Sequence, residues 1–280
     1  MKKTWFITGT SRGIGLEITQ AALASGDNVV ATARNATRLR EKFSVDKETQ
    51  LECIELNVNN QAQAKEAVTR SIERFGGIDI LVNNAGFGQL GHFETVDQSA
   101  IEKQFCTNVF GLMHVTRAVL PVMRRQQCGH ILNLSSIGGA LGFDGASIYC
   151  AAKFSVEGFS ESLALEVARF GINVTIVEPG FFRTDFLDES SVSYGQIELQ
   201  DYVNVANAQK SQYDQYSHTQ PGDPKRLAQL IVDTAGTGSV PLRLVVGTDA
   251  LAMTRDTLNN RMKELELWAE ASVITDHQEA

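Results

Sequence analysis

Seven short apolar runs, interleaved with longer amphipathic stretches, constrain this chain more than any other feature. The runs lie at 5–7, 28–32, 51–56, 78–82, 130–134, 173–177 and 243–246. Between them stand patterns with a 3.6-residue repeat, such as 62–75 and 155–170. Strand and helix alternating in this way predict right-handed crossovers and a parallel sheet covered on both faces. At 280 residues and 43% hydrophobic, the chain can bury one large α/β core. It shows no internal repeat and no low-complexity linker, so 1–280 reads as a single domain. Residues 188–224 break the rhythm: they are polar, rich in Gln, Asn, Ser and Tyr, and show no clear strand. A long irregular segment in a compact domain reads as a surface insertion or as a lid over a substrate. The motif that precedes it favours the lid. Residues 249–275 read as a helix with an acidic and polar face.

Directly after the first run stands Thr8-Gly9-Thr10-Ser11-Arg12-Gly13-Ile14-Gly15. Glycines allow a tight turn and let backbone approach a pyrophosphate, and a helix starting near Ile14 aims its N-terminus at that anion. The spacing is G-x-x-x-G-x-G, a variant of the G-x-G-x-x-G fingerprint. Between a first strand and a first helix, it marks a nucleotide site made by Gly9, Ser11, Arg12, Gly13, Ile14 and Gly15. The fold class follows: a doubly wound Rossmann-type α/β domain, with a seven-stranded parallel sheet and helices on both faces. The second strand ends Ala33-Arg34. An NAD site places an acid there for the ribose 2′-hydroxyl. The Arg34 guanidinium, joined by Arg12, suits a 2′-phosphate instead, which favours NADP(H). Arg38 reads as a solvated helix residue.

Tyr149 and Lys153 stand four residues apart. On a helix they share a face, and a nearby ammonium lowers a phenol's pKa. Such a tyrosine can exchange a proton with a carbonyl or alcohol oxygen. The same spacing also suits a packed tyrosine beside a solvated lysine, so the rest of the chain decides.

The glycine turn, Asn83-Asn84-Ala85-Gly86, Asn108, Ser136, Tyr149 with Lys153, and Pro179-Gly180 with Thr184 occur in one order over 3–247. Together they resemble the short-chain dehydrogenase/reductases, in particular the subgroup of 17β-hydroxysteroid dehydrogenases and related bacterial carbonyl reductases. The resemblance implies catalytic roles for Asn108, Ser136, Tyr149 and Lys153. Ser136 would hold the substrate oxygen and Asn108 a proton-relaying water, while Lys153 would also bind the nicotinamide ribose. Ser135 is an equally good hydroxyl chemically, and only the thirteen-residue spacing to Tyr149 selects Ser136. Asn84, Ala85, Gly86, Pro179, Gly180 and Thr184 would line the cofactor. Asn57-Val58 stands where the family often has Asp-Val against the adenine, and an amide oxygen can accept the same hydrogen bond.

The implied activity is NADP(H)-dependent interconversion of a ketone or aldehyde with its alcohol. Phe87, Phe143, Phe181, Phe182 and Phe186 suggest a bulky apolar substrate, and His92 reads as a surface residue. The alternative is a non-catalytic NADP(H) sensor, against which the four catalytic matches count. A nucleotide-sugar epimerase or dehydratase would have a different glycine spacing and a longer C-terminal substrate region. The net charge of −8 argues against nucleic acid. The four cysteines show no CxxC or metal spacing. No signal-peptide core and no membrane-spanning run is visible, so the expectation is a soluble cytoplasmic protein. The resemblance further implies a homodimer or homotetramer, with the helix over 155–169 in the interface.

Overall fold

A computed structural model describes residues 2–44, 47, 49–236 and 240–277. All seven expected strands form: β1 (Thr4–Thr8), β2 (Asn28–Ala33), β3 (Leu51–Glu55), β4 (Ile80–Asn83), β6 (Gly129–Leu134), β7 (Ile172–Pro179) and β9 (Arg243–Val246). They make one parallel sheet in the order β3-β2-β1-β4-β6-β7-β9. Both faces are covered, which is why the strands read as continuous apolar runs. Trp5 and Ile7 point into one layer, with Ile18 of α1 (Gly13–Ala24) and Ile231 of α8 (Pro224–Gly236). Phe6, between them, points into the other. That layer holds Val68 of α3 (Gln61–Phe75), Val119 of α5 (Leu112–Gln126) and Leu163 of α6 (Ser147–Val167). The strand order reverses between β1 and β4, and an open α/β sheet offers its ligand crevice at such a point, at the carboxyl ends of the strands.

Four features depart from the sequence reading. A second, two-stranded parallel sheet joins β5 (Gly88–Leu90) to β8 (Val192–Tyr194). So residues 188–224 do contain a strand, three residues long and too short to show a period. They also contain helix α7 (Val203–Tyr216), which buries no side chain and so lacks an apolar stripe. Third, α4 (Gln98–Phe105), a π-turn (Cys106–Gly111) and α5 form one continuous helix, Gln98–Gln126. By length and composition alone it could cross a membrane, contrary to the expectation that no stretch is long enough. Its Val115, Val119, Val122 and Met123 are packed beneath the sheet, as in the core helix of a folded domain. Fourth, α9 (Thr248–Val273) confirms the expected C-terminal helix but carries an apolar line as well as charges.

Candidate active site

The crevice at the carboxyl end of the sheet is a cavity of about 550 Å³. Every residue expected in the site lines it except Gly15, which lies just behind the wall. The five expected phenylalanines also line it, whereas Arg38 and His92 do not. His92 instead packs its ring against Tyr202, centroids 5.0 Å apart.

The glycine turn is held from below. Thr8 Oγ1 accepts from the backbone N–H groups of Asn84 and Ala85, each at 3.0 Å, and donates to the Val82 carbonyl at 3.3 Å. Asn84 Nδ2 returns two bonds, to the carbonyls of Thr8 and Gly9, both at 3.0 Å. This lattice ties the end of β1 to the end of β4. Gly9 and Gly13 have φ of 69° and 56°, conformations that favour glycine. A Cβ on Gly15 would collide with Asn84 and the Gly9 carbonyl, so that position must be glycine for the lattice to close. α1 begins at Gly13 with no side-chain cap and no acid in its first turn. Its free N–H groups suit an anion at the mouth of the cavity.

Two arginines behave differently from one another. Arg34 is exposed at the edge of the cavity, beyond β2. Arg12 was expected to join it, but its Nη1 donates to Ser190 Oγ at 2.6 Å and its Nη2 to the Ser190 carbonyl. The turn therefore reaches across to the segment after β7. Asn57 Oδ1 accepts from the Asn59 backbone N–H at 3.1 Å, which leaves the oxygen one further acceptor site.

α6 supplies Tyr149 and Lys153 on one face, with Glu157 one turn further. Burial pushes the Tyr149 phenol up to about 12, and a hydrogen bond from Ser136 works against that. This corrects the simple expectation that lysine lowers the tyrosine. Lys153 Nζ stands 5.8 Å from the centre of the Tyr149 ring and donates to the Leu134 carbonyl at 2.8 Å. Burial lowers Lys153 itself to about 8, opposed by the Glu157 carboxylate. The structure also separates the two serines. Ser136 caps the turn over Ile137–Gly139, with Gly138 N–H on its Oγ at 3.1 Å, and bonds Tyr149. Ser135 is buried, and its influence falls on Glu157, whose carboxyl pKa it lowers against the rise that burial causes.

Asn108 lies in the π-turn and is buried. Its Nδ2 donates to the Phe87 carbonyl at 2.8 Å and its Oδ1 accepts from the Phe87 N–H at 3.1 Å. The side chain is thus committed to the strand that enters β5. Behind Lys153 lies a charged cluster that the sequence reading missed. Arg243 Nε sits 3.4 Å from Glu157 and 3.5 Å from Glu178, and its Nη2 is 2.9 Å from Glu161. Burial raises Glu178 to about 7, with Glu157 adding to the rise.

Above the cavity, the segment after β7 is fastened by a few contacts. Phe181 packs edge-on against Tyr216 and Phe143, centroids at 5.3 and 6.2 Å. Phe186 sits 5.7 Å from the Tyr149 ring. The Phe181 N–H donates to Asp249 at the start of α9, at 2.8 Å, which fixes the Pro179-Gly180 turn. Thr184 Oγ1 accepts from the Phe186 N–H at 3.3 Å and lies beside Gly13.

A nucleotide turn, a Ser-Tyr-Lys cluster and an aromatic mouth thus share one crevice. Residues 3–194 match the family model described as short chain dehydrogenase. This chain belongs to the short-chain dehydrogenase family. As an oxidoreductase of that family it is 37% identical to "Oxidoreductase BOA17" of Botryotinia fuckeliana, over 98% of this chain and 100% of the relative. The crystal structure of a short-chain dehydrogenase from Streptomyces avermitilis is 38% identical. It superposes with a TM-score of 0.89 over 99% of this chain and 100% of that one. ElxO with NADP bound is 26% identical, with a TM-score of 0.74 over 90% of this chain and 100% of ElxO. The short-chain dehydrogenase fold of those proteins is the fold described above, including the sheet order that creates the crevice.

Proposed function

We propose that this oxidoreductase interconverts a ketone or aldehyde with its alcohol, using NADP(H). The observation that carries the reading is the meeting of Ser136, Tyr149 and Lys153 in the same cavity as the glycine turn. A nicotinamide cofactor, when bound, supplies or accepts the hydride. The glycine turn and the free N-terminus of α1 would hold its phosphates, and Arg34 the 2′-phosphate. Lys153 would reach the ribose hydroxyls, and Pro179, Gly180 and Thr184 would flank the nicotinamide side.

Ser136 orients the substrate oxygen, and Tyr149 gives it a proton during reduction and takes one during oxidation. A phenol raised to about 12 keeps its proton at neutral pH, so the group is present in the form that can give a proton to the substrate oxygen. Asn108, its amide engaged by Phe87, would place the water that relays protons from Lys153. The aromatic mouth of Phe87, Phe143, Phe181, Phe182 and Phe186 favours a bulky apolar substrate. Residues 188–224 act as a lid within a single domain over 1–280.

The test is a panel of ketones and aldehydes with NADPH and with NADH, followed by nicotinamide absorbance. Turnover with NADPH supports the reading, and tight NADPH binding without any turnover refutes it. Arg34→Glu is expected to reverse the preference, with the NADPH KM rising at least about tenfold from the loss of a charge-assisted bond.

A further inference from the structure

The wall behind Lys153 is built from charge. Tyr149, Lys153 and Glu157 follow one another at four-residue steps on α6, so they share one face of the helix. Lys153 and Glu157 are both buried, at 8% and 7% exposure. Lys153 lines the cavity, whereas Glu157 does not. The carboxyl thus stands behind the ammonium, outside the space that a cofactor or substrate would fill.

Other elements close around the pair. At the end of β6, Leu134 supplies the carbonyl that Lys153 Nζ meets at 2.8 Å, and Ser135 a buried hydroxyl. A Cβ on Gly139 would collide with both Ser135 Oγ and Glu157 Oε1, so the two oxygens converge on that glycine. Beyond Glu157 stand Arg243 of β9, Glu178 of β7 and Glu161 of α6.

The balance of charge decides what Glu157 does. Three carboxylates meet the one guanidinium of Arg243, which is itself exposed and closest to the exposed Glu161, at 2.9 Å. A buried charge is costly unless an opposite charge lies close. Lys153 is the second cation of the group. Of the three carboxylates, Glu157 is the one that stands a single turn away on its face. Each favours the charged form of the other: Glu157 works against the burial that lowers Lys153, and Lys153 against the burial that raises Glu157.

We propose that Glu157 is a positioning residue for Lys153, the buried counter-charge that keeps its ammonium at the Leu134 carbonyl and presented to the cavity. The inference rests on the role proposed above for Lys153, and adds a residue that touches neither cofactor nor substrate. Glu161 shares Arg243 but lies two turns from Lys153 and has no such part. A Glu157 that only tied α6 to β9 through Arg243 would leave the Lys153 proton where it is.

The test reads Lys153 directly, in the protein without cofactor, from the pH titration of its ¹³Cε NMR signal, assigned by its loss in Lys153→Met. The wild-type midpoint is expected at about 8. Glu157→Gln should lower it by about one pH unit, Glu157→Asp should restore most of that shift, and Glu161→Gln should leave the midpoint in place. A wild-type midpoint in Glu157→Gln overturns the proposal, and so does an equal drop in Glu161→Gln. If Glu157→Gln does not fold, the reverse measurement decides: Lys153→Met should raise the titration of the Glu157 carboxyl, since coupling is reciprocal, and an unmoved carboxyl overturns the proposal. Kinetics separates this inference from the reaction on which it rests. The alkaline limb of kcat/KM with NADPH should move down in Glu157→Gln by as much as the NMR midpoint. A lowered midpoint in a protein that turns over no carbonyl substrate would refute the reaction and still support Glu157 as the partner of Lys153.

Discussion

The floor of the cavity and the segment above it are built on different terms. The floor joins the ends of β1, β4 and β6 through buried, reciprocal hydrogen bonds: Thr8 with Asn84 and Ala85, and Asn83 with Asn133 at 2.8 Å. The segment over 188–224 puts β8 into the small sheet with Val192 buried, but its α7 buries no side chain and is tied by ring contacts and exposed hydrogen bonds. A helix with few buried contacts has low local stability. The contrast teaches that this fold fixes where chemistry happens and leaves adjustable what is admitted to it.

The comparison can be broken most forcefully at Tyr149. Tyr149→Phe keeps the ring against Phe186 and removes only the hydroxyl. The expected result is a fall in kcat of about 10³-fold with nearly unchanged NADPH binding, read by nicotinamide absorbance and by fluorescence titration. Retained turnover would remove the chemistry from the floor.

Thr8→Val asks how much the floor's lattice is worth. It strands two half-buried N–H donors, so thermal and urea unfolding should show a loss of about 2 kcal/mol. A neutral result would mean that the glycine turn is held some other way.

The pH dependence of stability should also come from the floor. Glu178 is raised in the folded protein to about 7, from an ordinary 4.5. Between those values the unfolded chain releases a proton that the folded chain keeps, so the stability that Glu178 contributes falls as pH rises through the window and levels off above it; His130, lowered by burial to about 4, acts in the opposite sense. Glu178→Gln removes the first contribution alone, so its melting temperature relative to the wild type should rise between about pH 4.5 and pH 7. If the difference between the two proteins does not change with pH, Glu178 is not the group responsible.

The smallest effect belongs to the 188–224 segment. Ser190→Ala removes a bond between exposed groups and should leave the melting temperature unchanged, raising the substrate KM by no more than about threefold. A large loss of stability would show that the segment is part of the frame.

Legibility in the sequence follows the same division. The central strands could be read because both faces are buried, so that β1 and β2 are apolar along most of their length, while the edge strands β3 and β9 still carry enough apolar residues to stand out. Gly9, Gly13, Ser136, Tyr149 and Lys153 could be read because their spacing is local to a turn or a helix, and the structure brings them to one cavity. The bond from Arg12 to Ser190 could not be read because the two lie 178 residues apart. β8 and α7 were missed because three residues show no period and a helix without a buried face has no stripe. Thr8 and Asp249 gave no signal, since a threonine ending a strand and an aspartate opening a helix are everyday residues. Their importance lies in distant N–H groups, those of Asn84, Ala85 and Phe181. Glu178 was hidden inside an apolar run, where a lone acid is easily passed over.

The π-turn over Cys106–Gly111 acts as a phase adjuster. Upstream, Gln104 Nε2 donates to the Phe87 carbonyl at 3.2 Å, while downstream Val115, Val119 and Val122 face the sheet. Each residue of an α-helix turns the chain by about 100°. Deleting one residue from the bulge would therefore rotate either the Asn108 end off Phe87 or the valines off the sheet. The chain keeps both registers by carrying a turn wound more widely than its neighbours, placed where one helix must face two surfaces.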